Sequence, residues 1–384
     1  SYPKRRQSQT ALHMASQTPE ILERAFERWL AAQKEAAALM AAAEQPGSGR
    51  DWADGYRWLT RIASLAQEWV IERSDPMNPS LFVGQSPHRK LMGDNPDVNY
   101  HFATLDSSQS YVLSGNRGQA PYAGLTFGTD VFRSDDPGGG TTLQRNLDEF
   151  DINSDGSFEL RFGPGDEGPN SLRLPPGTAQ IAVRETFTDR RTQRPAVLSI
   201  RRDGGQPSDP EPSPEAMAER LETAAHFLLK ITRFCIETYE LSGFTVNQLM
   251  GRGGGKHVDS HEHAVRSHSD ADMAYYGGRW RLAGDEGLAV TIDPPDQDFT
   301  YWGLVLLNPW LESYDYLSRT VSLNNGTATG NPDGSWTLVI APRDPGRPNW
   351  MDSGGRLEGM MLLRWCLAGQ SPPVPRCETF KLDQ

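Results

Sequence analysis

The stretch DGSFELRFGP, residues 155–164, returns as DGSWTLVIAP at residues 333–342. In each, an Asp-Gly pair leads into a short run of alternating apolar residues, the mark of a tight turn feeding a half-buried strand. The likeness extends outward. YAGLTF (122–127) precedes the first copy and YWGLVL (301–306) the second, setting Tyr122 against Tyr301. Before these, PDVNYHFATL (96–105) matches ADMAYYGGRW (271–280), aligning Asp97 with Asp272 and Tyr100 with Tyr275. Beyond the opening stretch, GPN ending at Asn170 matches RPN ending at Asn349. AVRETF (182–187) then matches LLRWCL (362–367), aligning Arg184 with Arg364. The blocks keep their order while the offset drifts only from 175 to 180, so the chain carries an internal duplication. A period this long with changing loop lengths predicts two related antiparallel β-sandwich lobes rather than a solenoid.

Composition agrees. The 384 residues suffice for two or three cores at about 100–200 residues per domain. There are 37 glycines and 28 prolines, turn chemistry that suits many short strands. The net charge of −12 repels phosphate backbones and argues against nucleic acid as a partner. No run of about 18 apolar residues is present, so no membrane partner is expected. KRRQSQTALHM has adjacent arginines with no apolar stretch after them, and residues 1–13 read as an expression-vector leader with Met14 as the natural start. Three cysteines, Cys235, Cys366 and Cys377, form no CxxC and no disulfide framework, which fits a reducing cytoplasm. Asn325 in NGT matches a glycosylation triplet, with nothing else to suggest secretion.

Helical spacing appears in three places. Thr18 followed by Pro19 reads as an N-cap and first turn, after which Ile21, Leu22, Ala25, Phe26, Trp29 and Leu30 recur with helical period. A second helix is predicted from about Asp51 to Glu72, apolar over an arc wide enough for two partners. A third starts at Ser213–Pro214 and carries Met217, Leu221, Ala225, Leu228, Ile231, Cys235 and Tyr239 on one stripe to Leu241. The organisation expected is therefore a helical hairpin (14–75), a first β-sandwich lobe (76–203), a linker and long connecting helix (204–250), and a Gly/His loop with the second lobe (251–384). The fold class is mainly β with α additions.

What both copies keep is read here as structural: the DG turns, the apolar alternation, and an arginine that ties a strand to a carboxylate. What the second copy alone has is read as site: LLNPWLESYDYLSR (306–319), APRDPGRPNWMDSGGRLEG (341–359) and the histidine loop before them.

The second copy also resembles a known family. YWGLVLLNPWLESYDY (301–316) and VSLNNGTATGNPDGSWTLVIAPRDPGRPNWMDSGGRLEGMMLLRW (321–365) resemble the bacterial proteins grouped as domain of unknown function 1214, and GDNPDVNYHFATLD (93–106) resembles the opening block of their long actinobacterial-type members. The resemblance spans Gly93 to Leu367, and the D-P-G-x-P-N-W block from Asp344 to Trp350 is its most specific part. Where the family continues into a Gly-His pair, this chain has Gly355 and Arg356, so a role resting on that histidine does not carry over. The resemblance implies a β-rich fold with helical additions and brings no general reaction.

Three candidate sites follow. GRGGGKHVDSHEHAVRSHSDAD (251–272) holds four of the eight histidines, at His257, His261, His263 and His268. Its G-x5-H-x-H coincides with the first half of the cupin metal motif, and two histidines two apart on a strand face one way. His268 stands where that motif has glutamate, and its second half is missing, so a solvated loop is the competing reading. No cofactor is expected. A divalent metal held by His257, His261 and His263 is the one candidate. Second, Arg343, Asp344, Arg347, Asn349, Trp350, Asp352 and Arg356 could offer a guanidinium to a carboxylate substrate and an aspartate base; the competing reading is a surface hairpin with capped turns. Third, Asn308, Trp310, Tyr314 and Tyr316 combine hydrogen bonds with aromatic faces, against a reading as core aromatics. No GxSxG elbow, P-loop or Rossmann pattern occurs.

The functional expectation is an enzyme acting on a small, partly apolar organic substrate, with hydrolysis as the default reaction. Its catalytic groups would be His261, His263, Arg343, Asp344 and Asp352, and its substrate-binding groups Asn308, Trp310, Tyr314, Asn349, Trp350 and Arg356. The alternatives are a non-catalytic small-ligand or carbohydrate-binding protein with Trp310 and Trp350 as platforms, a metal-dependent enzyme using the histidine loop, and a scaffold whose duplicated sandwich forms a homo-oligomer.

Overall fold

Four of the five repeated blocks become strands, and the GPN and RPN block a turn before one, in both halves of the computed structural model, which describes residues 4–43, 48–130, 140–205, 209, 211–240, 244–251, 272–366 and 372–382. The first lobe contains β1 (Phe82–Val83), β2 (Val98–Thr104), β3 (Tyr111–Asn116), β4 (Tyr122–Gly128), β5 (Thr141–Asn146), β6 (Ser157–Gly163), β7 (Ser171–Arg173), β8 (Gln180–Thr186) and β9 (Val197–Arg202). The second contains β10 (Met250–Gly251), β11 (Met273–Arg281), β12 (Glu286–Ile292), β13 (Tyr301–Leu307), β14 (Ser322–Asn324), β15 (Trp336–Ala341), β16 (Trp350–Asp352), β17 (Glu358–Cys366) and β18 (Arg376–Lys381). Lobe 1 pairs them as β1-β2-β8-β4-β5 and β7-β6-β3-β9. Lobe 2 repeats this strand for strand, as β10-β11-β17-β13-β14 and β16-β15-β12-β18. Even the parallel ladder recurs, β6 with β7 and β15 with β16, while the other sheet ladders run antiparallel.

The turns show why the copies fold alike. Asp155 accepts the Ser157 amide at 2.9 Å, and Asp333 accepts that of Ser335 at 3.0 Å. The following glycines, Gly156 and Gly334, take φ of 84° and 86°, a region glycine enters without a Cβ clash. Asn170 and Asn349 are both left-handed, at φ 50° and 57°. Each side chain clamps a neighbouring loop: Asn170 accepts from the Asp151 amide at 2.8 Å, and Asn349 accepts from the Thr329 amide at 2.7 Å.

Each lobe has its own core. Lobe 1 buries Leu113, Phe127, Leu160, Phe162 and Val183 between its sheets, and lobe 2 buries Trp280, Trp302, Leu338, Ile340 and Trp365. A third apolar cluster joins the helices to both lobes. Its helices are α1 (Lys4–Ala42), α2 (Gly49–Ala66) and α3 (Pro214–Glu240). The Thr18–Pro19 pair does not start α1, which runs from Lys4 through Pro19. Proline removes one amide donor without ending the helix here. α2 opens at Ser48, whose hydroxyl accepts from the Asp51 amide, and it continues as a π-helical turn over Gln67–Glu72 that buries Trp69 and Val70. Alanines let the helices approach closely: Ala25 packs with Ala218 and Leu221, and Ala32 and Ala36 share a cluster with Ala224 and Ala225. Among the described residues no helix is long and apolar enough to cross a membrane.

Candidate functional site

The alternation of β2 and β8 decides what the lobes show each other. Tyr100 pairs with Arg184 across the ladder and Phe102 with Ala182, so these side chains share one face. The intervening Ala103, Ile181 and Val183 point into the lobe's own core. In lobe 2, Tyr275 pairs with Arg364 and Gly277 with Leu362 in the same pattern. The two faces meet around a cavity of about 230 Å³. One water needs only about 10–15 Å³. The wall is built from equivalent positions: Tyr100 and Tyr275, Arg184 and Arg364, Ala182 and Leu362, Gln180 and Met360. Phe234 and Thr238 of α3, with Trp69, Leu307 and Leu311, complete it. At Gly277, where lobe 1 has Phe102, a Cβ would lie 2.4 Å from the Phe244 ring and displace it.

Crossed hydrogen bonds hold the faces together. Tyr122 of lobe 1 donates to Asp272 of lobe 2 at 2.7 Å. Tyr301 of lobe 2 donates to Asp97 of lobe 1 at 2.9 Å, and Asn95 donates to the same phenol oxygen at 2.9 Å. Reciprocal contacts of this kind are what a two-fold arrangement produces. Burial pushes the Asp97 carboxyl up, against the lowering effect of its bonds from Asn324 and Tyr301 and of the nearby Arg190 and Arg364.

The polar groups of the wall are unevenly satisfied. Arg184 donates to the Thr126 hydroxyl at 2.6 Å. Arg364, 6% exposed, donates through Nη2 to the Gly93 carbonyl, while its buried Nη1 has no hydrogen-bond partner among the described residues. Among the described residues Arg364 forms no ion pair, so the carboxylate tie expected of this arginine is not found. Its guanidinium lies 5.9 Å from the Tyr275 ring centre. Tyr100 has its phenol pushed up by burial, although both Arg364 and Arg184 are near enough to pull it down. An open groove beside Asp97, Asn99, Arg190 and Tyr316 shares Gln85 and Val98 with the cavity wall.

The candidate residues read from the second copy lie elsewhere. His257, His261, His263 and His268 lie outside the described residues. Among the described residues, no group of three or more His, Cys, Asp or Glu is placed to hold a metal. Asn308 forms a turn, accepting the Trp310 and Glu312 amides at 3.0 Å each. Trp310 is only 2% exposed; its Nε1 donates to the Asp51 carbonyl at 2.7 Å and its ring stacks on Trp58, centres 5.6 Å apart. With both faces covered it presents no platform. Tyr314 is buried under Arg356, whose guanidinium sits 4.4 Å from its ring centre. Arg356 forms ion pairs with Asp51 and Asp54 of α2, bolting the helical hairpin to lobe 2. Trp350 donates to the Ala341 carbonyl at 3.2 Å. Arg343 and Asp344 are exposed, Asp344 capping the Gly346 amide at 2.8 Å, and Asp352 pairs with Arg319 at 2.7 Å. None of these lines the cavity.

The cavity residues did have a sequence signal. Tyr100 with Tyr275 and Arg184 with Arg364 are among the aligned pairs of the duplication, and by retention in both copies the arginine reads as structural. A face shared between copies is where retained residues meet.

Among solved structures, the chain is similar to the crystal structure of an uncharacterized protein from Burkholderia cenocepacia, with 29% identity over 96% of this chain and 99% of that chain and a TM-score of 0.86. It is also similar to the VPA0106 protein from Vibrio parahaemolyticus, with 13% identity over 85% of this chain and 98% of that one, at a TM-score of 0.49. No protein-family model matches the chain, and no curated protein does. The Burkholderia structure covers the whole two-lobed architecture, helices included.

Proposed function

We propose that the protein binds a small, largely apolar organic molecule in the interlobe cavity, as a ligand-binding protein rather than as a hydrolase. The observation that carries this is the cavity itself: a partly open space of about 230 Å³ at the junction of two sheets, lined by aromatic and aliphatic side chains with a few inward polar groups. That is the usual composition of small-molecule sites, and domain junctions are a usual place for them. Hydrolysis by His261 and His263 with Asp344 or Asp352 draws no support from the described geometry, since both aspartates hold turn amides or Arg319 away from the cavity. Membership of the domain of unknown function 1214 family is part of the same proposal and rests on the D-P-G-x-P-N-W block.

The test is a thermal-shift panel of small apolar molecules on the wild type and on Ala182→Phe, whose ring would occupy the cavity. A ligand at a hundred times its Kd stabilises by about 2.7 kcal/mol, readily seen as a higher midpoint. Shifts in the wild type that vanish in the variant support the proposal. Equal shifts in both, or none in the wild type, count against it.

A further inference from the structure

Resting on the cavity as a ligand site, we infer that its ligand is an organic monoanion, a carboxylate on an apolar body, received by Arg364 together with Arg184. Arg364 cannot shed its proton, so its charge stays in the wall whatever its surroundings. One nitrogen is used by the Gly93 carbonyl; Nη1 is buried and donates to nothing among the described residues. A buried donor without an acceptor is costly. A carboxylate would supply that acceptor, and its two oxygens match the planar fork of a guanidinium.

The protein's own acids do not fill this role. Asp97 is near enough for Arg364 to act on its carboxyl, but among the described residues it forms no hydrogen bond or ion pair with Arg364 and accepts instead from the Tyr301 hydroxyl at 2.9 Å. Arg184 reaches the same wall from the equivalent position of the other lobe, and both guanidiniums act on the Tyr100 phenol. The duplication therefore places two cations around one space in a chain whose net charge is −12. Around them the wall is apolar, with Trp69, Phe102, Phe234, Leu307 and Met360 facing the body of the ligand.

The test is calorimetric titration of the full chain with octanoate and with octanamide, which have the same chain length and differ in charge. Octanoate is expected to bind the wild type about ten- to a hundredfold more tightly, the span of one charge-assisted hydrogen bond. Arg364→Met should bring octanoate down to the octanamide level and leave octanamide unchanged, with Arg184→Met giving a smaller loss of the same kind. If octanamide binds the wild type as tightly as octanoate, the anion inference is overturned while the cavity reading stands. Undiminished octanoate affinity in Arg364→Met overturns it too. If neither compound binds the wild type, the cavity reading falls and the inference with it. The wild-type comparison decides the matter even where Arg364→Met does not fold.

Discussion

The two lobes share every strand and differ most in what fills the end of the middle strand. In lobe 1, Ala123 of β4 lies opposite Glu185 of β8; in lobe 2, the corresponding pair is Trp302 and Trp365. Glu185 is fully buried and held by the Ala196 amide at 2.6 Å, Asn99 at 3.2 Å and His101 at 3.3 Å. The tryptophans instead join Phe299 and Trp336 in an edge-to-face cluster. On the faces the lobes present to each other, the tyrosine and arginine pairs stay the same. The private interiors have therefore diverged, while the common wall keeps its tyrosine and arginine pairs and changes at neighbours such as Phe102 and Gly277. One architecture tolerates a hydrogen-bonded carboxylate or an aromatic cluster at the same point, although Trp302 and Trp365 each keep a buried indole N–H without a hydrogen-bond partner among the described residues.

Removing the ring is the most damaging way to break this comparison. Trp365→Ala should cost about 3–5 kcal/mol, the range for emptying a buried tryptophan site, read by urea unfolding. Glu185→Gln should cost less, about 1–3 kcal/mol, because it leaves charge-assisted bonds weakened. It should also change the pH response. Burial works against the Glu185 carboxylate, but its bonds from His101, the Ala196 amide and Asn99 prevail and hold its pKa below the ordinary value. A depressed folded-state pKa contributes stability above the unfolded value of about 4.3, and that stability is lost as pH falls through the folded value. Glu185→Gln should therefore flatten the acid side of the stability curve, while Trp365→Ala lowers the curve without changing its shape. An unchanged acid limb in Glu185→Gln would contradict the assignment.

The crossed bonds offer a finer comparison. Tyr301→Phe leaves Asp97 and Asn95 without their shared phenol and should cost about 1–3 kcal/mol. Tyr122→Phe, which removes the bond to Asp272 and a longer one from Gln144 at 3.2 Å, should cost about 0.5–1.5 kcal/mol. Equal losses would mean the lobes are sealed symmetrically. The smallest effect is expected at the lobe 2 rim, where Asp352→Ala removes a half-exposed pair with Arg319 and should leave both the unfolding midpoint and any ligand shift unchanged.

Much of the fold could be read in advance because turns and strand alternation are local. The DG turns, the paired strand blocks and the start of α3 are set by neighbours in sequence. The start of α1 was misplaced because a Thr-Pro pair is a local signal that a longer helix overrode. The candidate site was harder, since its walls lie 175 to 180 residues apart and meet only through packing. Trp310, Tyr314 and Arg356 looked available because nothing in their own stretch reveals that α2 covers them. Retention in both copies marks Tyr100, Tyr275, Arg184 and Arg364, and in sequence alone a retained residue of the scaffold looks the same as one of a common wall.

The crossed Tyr–Asp contacts have a consequence for how the halves stay together. Two separate subunits meeting in this way would need a broad, dry interface to associate at working concentration. Here α3 and its linker join the halves covalently, so their meeting is an intramolecular event that no longer depends on how much protein is present. An interface relieved of that demand can be hollow at its centre, and this one is.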